Sequence, residues 1–125
     1  MKIAYHAVPD ADTLINMTNH SYFNMDGHAS GDVLDQEVWI DADAFTRADA
    51  ESIPTGEITP VEGTPMDFRT KKAIGKEIET DYEALNFGKG YDHNWVLNNK
   101  GEFAKWQRCP RKRAESLWKF IQTFR

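Results

Sequence analysis

Apolar and polar positions alternate along the first part of the chain. In "KIAYHAV", Ile3, Tyr5 and Ala7 fall on one side and Lys2, Ala4 and His6 on the other, the period of a half-buried strand. Asp10-Ala11-Asp12 predicts a turn. "TLINMTNHSYF" predicts a second strand, with Leu14, Asn16 and Thr18 facing opposite to Ile15, Met17 and Asn19. The polar "NMDGHASGD" predicts a loop, and "QEVWIDA" a third strand in which Trp39 faces away from Val38 and Ile40.

Turn signals then crowd together. "SIPTGEITPV" sets Pro54 and Gly56 in the i+1 and i+3 places of a type I turn, and "EGTPMDFR" sets Gly63 and Pro65 before a short segment. "GYDHNWVLN" predicts a last strand at Asn94 to Leu97, closed by Asn98-Asn99 and Gly101. Only "TKKAIGKEI" and "TDYEALNFG" read as short helices. Short strands separated by Gly, Pro and Asn turns predict an all-β, antiparallel sandwich or barrel, without repeats or low-complexity segments.

Composition narrows this picture. The chain has 125 residues, 40% hydrophobic and 28% charged, the profile of one ordinary soluble domain. No apolar run approaches the roughly 20 residues needed to span a bilayer, so no membrane association is expected. "MKIAYHAVPDAD" lacks the apolar stretch of a secretory signal, and the single Cys109 is compatible with a reducing cytoplasm. The net charge of −5 is unevenly spread: Lys105 to Arg125 holds seven basic residues and one acidic, and the first 104 residues hold eight basic and nineteen acidic. An acidic body does not attract nucleic acid.

Candidate chemistry gathers around His20. An imidazole exchanges a proton near neutral pH, and Asn19, Ser21 and Tyr22 surround it with donors and acceptors suited to a polyhydroxylated ligand. A histidine hydrogen-bonded at a strand end is equally compatible with that pattern. Tyr22, Phe23, Trp39 and Trp95 either offer flat faces to a sugar ring or belong to the core. Asp92, in "GYDHNW", either accepts two hydrogen bonds from vicinal hydroxyls or caps a turn. The four histidines show no metal-ligand spacing, and no G-x-S-x-G, P-loop or G-x-G-x-x-G occurs. Neither a metal nor another cofactor is expected.

"TNHSYFN", "IPTGEI", "GTPMDFR", "AIG" and "GYDHNWVL", in that order, resemble the aldose 1-epimerase (galactose mutarotase) family from about Lys2 to Glu102. The resemblance implies part of a large antiparallel β-sandwich and interconversion of the α and β anomers of a hexose such as galactose or glucose. It implies that His20 is the acid at the ring oxygen, that Ser21 and Tyr22 lie in the sugar-contact segment, and that Asp92 holds sugar hydroxyls. The family's base is a glutamate in a motif like "LETQ", and an upstream arginine and histidine also touch the sugar. This chain carries none of these, so the resemblance implies an incomplete sandwich and a crippled enzyme. A non-catalytic carbohydrate-binding sandwich is the alternative.

The resemblance stops near Ala104, which divides the chain into a partial epimerase domain, 1–104, and a basic tail, 105–125. Read one base out of step, codons for Lys105 to Arg108 can yield "VAA", those for Arg113 to Ser116 "GRV" and those for Leu117 to Thr123 "MEVYTD". Family members continue with "GR-x-x-EVYT", so the tail reads as out-of-frame translation. An early stop in the alternative frame of the nucleotide sequence at Lys105 refutes this. A basic tail that forms a helix over "AESLWKFIQTF" and docks on an acidic partner is the competing reading. Oligomeric state and hexose preference have no signal in the sequence.

Overall fold

Val38 and Ile40 share one side of a strand, and both are buried, whereas Glu37 and Trp39 on the other side are half-buried. The computed structural model describes residues 4–15 and 17–98, together with the strand backbones of 104–110 and 117–122. In order these form β1 (Glu37–Ile40), β2 (Ala42–Ala48), β3 (Pro54–Pro60), β4 (Lys72–Ala73), a 3-10 turn (Ile74–Lys76), α1 (Glu83–Gly88), β5 (Trp95–Leu97), β6 (Ala104–Pro110) and β7 (Leu117–Gln122). Two antiparallel sheets result, ordered β4-β1-β6-β7 and β3-β2-β5. The all-β, antiparallel expectation therefore holds.

β2 is the centre of the smaller sheet. Phe45 stands opposite Thr59 of β3 and Trp95 of β5, with register shifts along both ladders. Its ring meets Val61, Met66, Ala84 and Leu85 in one buried cluster. Val38, Ile40, Ala42 and Phe68 form a second cluster, and Tyr91 and Trp95 pack against both. Phe68 meets the Tyr91 and Trp95 rings edge-on, at 5.0 and 5.9 Å between centroids, the arrangement that aromatic quadrupoles favour. The polar ends of these rings are satisfied: Trp95 Nε1 donates to the Met66 carbonyl and Tyr91 Oη to the Pro65 carbonyl, both at 3.1 Å. Burial and nearby Glu77 push the Tyr91 hydroxyl up to about 12.

Two buried polar side chains tie loops to this frame. Lys72 Nζ donates to the Pro65 carbonyl at 2.6 Å, pairs with Glu77 and lies 4.5 Å from the Phe68 ring centre. Gln36, just before β1, holds the loop at 24–26.

Several expectations fail for identifiable reasons. The described parts of "KIAYHAV" and "TLINMTNHSYF" are in no strand, and residues 4–15 and 17–23 are exposed throughout. Alternation makes a strand only where a neighbour completes the backbone hydrogen bonds. No described strand lies beside this segment. The turn placed at Pro54-Gly56 is instead the start of β3, with Pro54 at the first position of an edge strand, where its missing N–H costs no ladder bond. The reversal falls earlier, at Asp49, whose Oδ1 accepts from the backbone N–H of Glu51 (3.0 Å) and Ile53 (2.9 Å). "TKKAIGKEI" is β4 plus the 3-10 turn, whereas "TDYEALNFG" does contain α1. In the tail, the helix considered over "AESLWKFIQTF" gives way to β7 across Leu117–Gln122.

Candidate functional site

His20, Ser21 and Tyr22 lie together on the exposed segment that precedes the 24–26 loop. The His20 and Tyr22 rings are 5.1 Å apart between centroids and inclined at 52°. The Ser21 backbone N–H donates to Asn19 Oδ1 at 3.3 Å, and Asn19 Nδ2 donates to the Tyr5 hydroxyl at 3.2 Å. Tyr22 is 89% exposed, so its ring is a free face, and Phe23 is also partly exposed. Trp95 belongs to the core and Trp39 is half-buried with a partner of its own, so neither presents an open face.

Asp92 sits on a different segment, the extended run that enters β5. Along that run burial alternates: Tyr91, His93, Trp95 and Leu97 point inward, and Asp92, Asn94 and Val96 outward. The period of 2 thus turns the Asp92 carboxylate to solvent because its neighbours are anchored. His93 is the tighter anchor. Its ring lies edge-on to Phe45, 5.7 Å between centroids, and to Trp95 at 6.3 Å. A Cβ at Gly88, the last residue of α1, would come within 2.9 Å of His93 Cε1, so only glycine lets the ring sit there. Among the described residues no hydrogen bond, ion pair or ring contact joins His20 to Asp92, and both are exposed.

Burial lowers the His93 pKa, against the opposing pull of Asp92 and a hydrogen bond to the Ala84 backbone. Its Nδ1 is buried without a partner. The folded state therefore binds fewer protons here than the unfolded chain, whose imidazole titrates near 6.5. The contribution is complete above that value and is lost as pH falls towards the lowered folded one. Asp67, held below the usual carboxylate range by Arg69, titrates outside this window. The urea midpoint should drop between about pH 7.5 and about pH 5.5, and His93→Phe should flatten that drop. An equal drop in both proteins would show that other groups cause it.

Two clefts are present elsewhere. One, open and about 470 Å³, is lined by residues including Thr64, Asp67, Lys71, Lys76 and Glu77. The other, about 180 Å³, lies beside Arg47 and Glu83. Neither contains His20, Ser21, Tyr22 or Asp92. Among the described residues no group of three or more His, Cys, Asp or Glu is placed to hold a metal ion, and no helix is long and apolar enough to cross a membrane. Three residues that shape the site carried no functional signal of their own: Asn24, Gln36 and His93. Asn24 closes "TNHSYFN" and His93 adjoins Asp92, but Gln36 is an isolated amide in a polar stretch.

Comparison with known proteins gives the same answer throughout. A family model for aldose 1-epimerase matches residues 1–119. A galactose mutarotase from Sus scrofa is 43% identical over 100 residues, covering 80% of this chain and 28% of that protein. An aldose 1-epimerase from Escherichia coli is 40% identical over 105 residues, covering 84% of this chain and 30% of the relative. The structure of a GalM/aldose epimerase homologue from C. elegans superposes with a TM-score of 0.58 at 30% identity, over 74% of this chain and 26% of that one. The chain thus spans under a third of the length of the relatives it matches. It belongs to the aldose 1-epimerase family.

Proposed function

We propose that this chain carries the acid and hydroxyl-binding part of a mutarotase site, acting on hexoses such as galactose or glucose. His20 protonates the ring oxygen while a base, the family's glutamate in its relatives, takes the proton of the anomeric hydroxyl. The C1–O5 bond breaks, the free aldehyde turns about one bond, and the ring recloses on its other face as the base returns its proton to the anomeric oxygen. Reclosure returns the proton to the imidazole. Ser21 and Tyr22 contact the sugar, and Asp92 accepts hydrogen bonds from its hydroxyls. The observation that supports this most is exposure in context. His20 and Asp92, one from each family motif, face solvent, while Tyr91, His93 and Trp95 hold the Asp92 segment from beneath.

General acid and base each contribute about 10²–10⁴-fold, so His20 supplies about half of the catalytic pair. We place the chain in the cytoplasm and take 105–125 as out-of-frame sequence.

Titration with D-galactose, followed by the amide resonances of Asp92 and Asn94, tests the binding half. Asp92→Ala should weaken the sugar at least about tenfold, the scale of one hydrogen bond to a charged group. Unchanged affinity would remove Asp92 from the site. Binding by the parent chain without any acceleration of mutarotation would favour a non-catalytic carbohydrate-binding sandwich.

A further inference from the structure

Gln36 is one of two buried polar side chains among the described residues, only 6% exposed, and its bonds all point one way. Nε2 donates to Asn24 Oδ1 at 2.8 Å and to Asp26 Oδ2 at 3.3 Å, and Oε1 accepts from the Met25 backbone N–H at 3.4 Å. Asn24 is equally committed. Its Oδ1 also accepts from the Asp26 N–H at 3.0 Å, and its Nδ2 donates to the Gly31 carbonyl at 3.0 Å. Each amide therefore has one consistent orientation, since a flip of either would set donor against donor.

The base of this clamp is rigid. The Gln36 backbone N–H donates to the Val33 carbonyl at 3.0 Å, its carbonyl accepts from the Ile74 N–H at 2.9 Å, and β1 begins at the next residue. What it holds is the first part of the described residues to be shielded from solvent. Residues 4–15 and 17–23 are exposed, and 24–26 are half-buried. The segment bearing His20 is thus tethered to the body directly after Phe23.

We propose that Gln36 is the positioning residue for His20. It locks Asn24 and Asp26 to the start of β1 and so fixes where the imidazole is offered to a sugar ring oxygen. This rests on the mutarotase reading for the role of His20, but the clamp itself is measurable without any sugar. Leucine at 36 keeps the volume and removes three hydrogen bonds, those to Asn24 Oδ1, Asp26 Oδ2 and the Met25 N–H. Gln36→Glu keeps the size and the acceptor for the Met25 N–H but turns a carboxylate oxygen on Asn24 Oδ1 and Asp26 Oδ2.

The test is NMR on the full chain. In Q36L the Asp26 and Met25 amides should exchange at least about tenfold faster, the loss expected for two buried hydrogen bonds. The cross-relaxation between the His20 and Tyr22 rings should disappear, while amides in β1 and β2 stay protected. Q36E should free the same ring pair, because it removes the donor at unchanged size, whereas a general packing defect would spare it. D-galactose titration then separates the claims. Weaker sugar-induced shifts at His20 in both variants are the expected result. If the parent chain binds no sugar but Q36L still frees the ring pair, the mutarotase reading fails and the clamp stands. Unchanged exchange and ring contact in Q36L, or unchanged sugar shifts despite a loosened segment, overturns the proposal.

Discussion

Phe45→Ala should lower stability by about 3–5 kcal/mol, the range for removing a buried aromatic ring. Phe45 is 1% exposed at the middle of β2, the central strand of its sheet. Its neighbours come from separate segments: Val61 and Met66 from the loop after β3, Ala84 and Leu85 from α1, and His93 from the run into β5. A hole bounded by independently anchored groups collapses poorly, so both the transfer and the cavity costs apply. Domains of this size hold about 5–15 kcal/mol in total, and the variant should be partly or wholly unfolded at 37 °C. Ile58→Ala is the matched control. Ile58 is 60% exposed on β3, and its loss should change stability by no more than about 0.5 kcal/mol. Urea unfolding followed by circular dichroism measures both. Equal effects at 45 and 58 would mean that the core lies elsewhere.

How far this core was legible depends on what each segment's pattern rests upon. β1 and β5 were readable because Val38 and Ile40 in one, and Trp95 and Leu97 in the other, alternate with more exposed neighbours. "ADAFTRA" was not, since its small alanines and turn-prone aspartate conceal a strand whose single large apolar residue is Phe45. β3 was hidden by Pro54 and Gly56, which signal a turn in isolation but are tolerated on an edge strand. The opposite error concerns the two N-terminal strands. Their alternation is real, but a strand is a pairwise object, and periodicity within one segment does not show who its partner is.

The same distinction separates the parts of the site. His20, Ser21, Tyr22 and Asp92 stand out because their types suit sugar chemistry and because they fall in motifs that resemble a family. Gln36 and His93 act through long-range geometry. The amide meets residues twelve and ten positions away, and the imidazole fits under a glycine at the end of α1. Neither relation has a local sequence signature. Electrostatics adds a further layer that only the fold reveals. Arg69 reaches both Asp67 and Asp43, and Arg47 reaches Glu57 and Glu83, so each guanidinium is raised by its carboxylates and braces the outer surface of the smaller sheet. Being largely exposed, these pairs contribute little to stability, and the frame depends on the aromatic clusters.

Changing His20 to asparagine should abolish whatever acceleration the chain gives to mutarotation of freshly dissolved α-D-galactose. Asparagine retains hydrogen-bonding capacity and polarity but cannot release a proton at the ring oxygen, so the loss isolates acid catalysis from binding. The general acid is worth about 10²–10⁴-fold, so its loss is large beside any effect on binding. The variant should therefore match the buffer rate in polarimetry. Because His20 is exposed and outside both core clusters, folding should be unaffected, with the urea midpoint serving as the check. Sugar affinity should fall far less than turnover, since Asp92 remains. Full activity in H20N would transfer the acid to another group and leave the "NHSYF" segment as a binding surface alone. An acceleration lost together with the fold would instead make His20 a structural residue, contrary to its exposure.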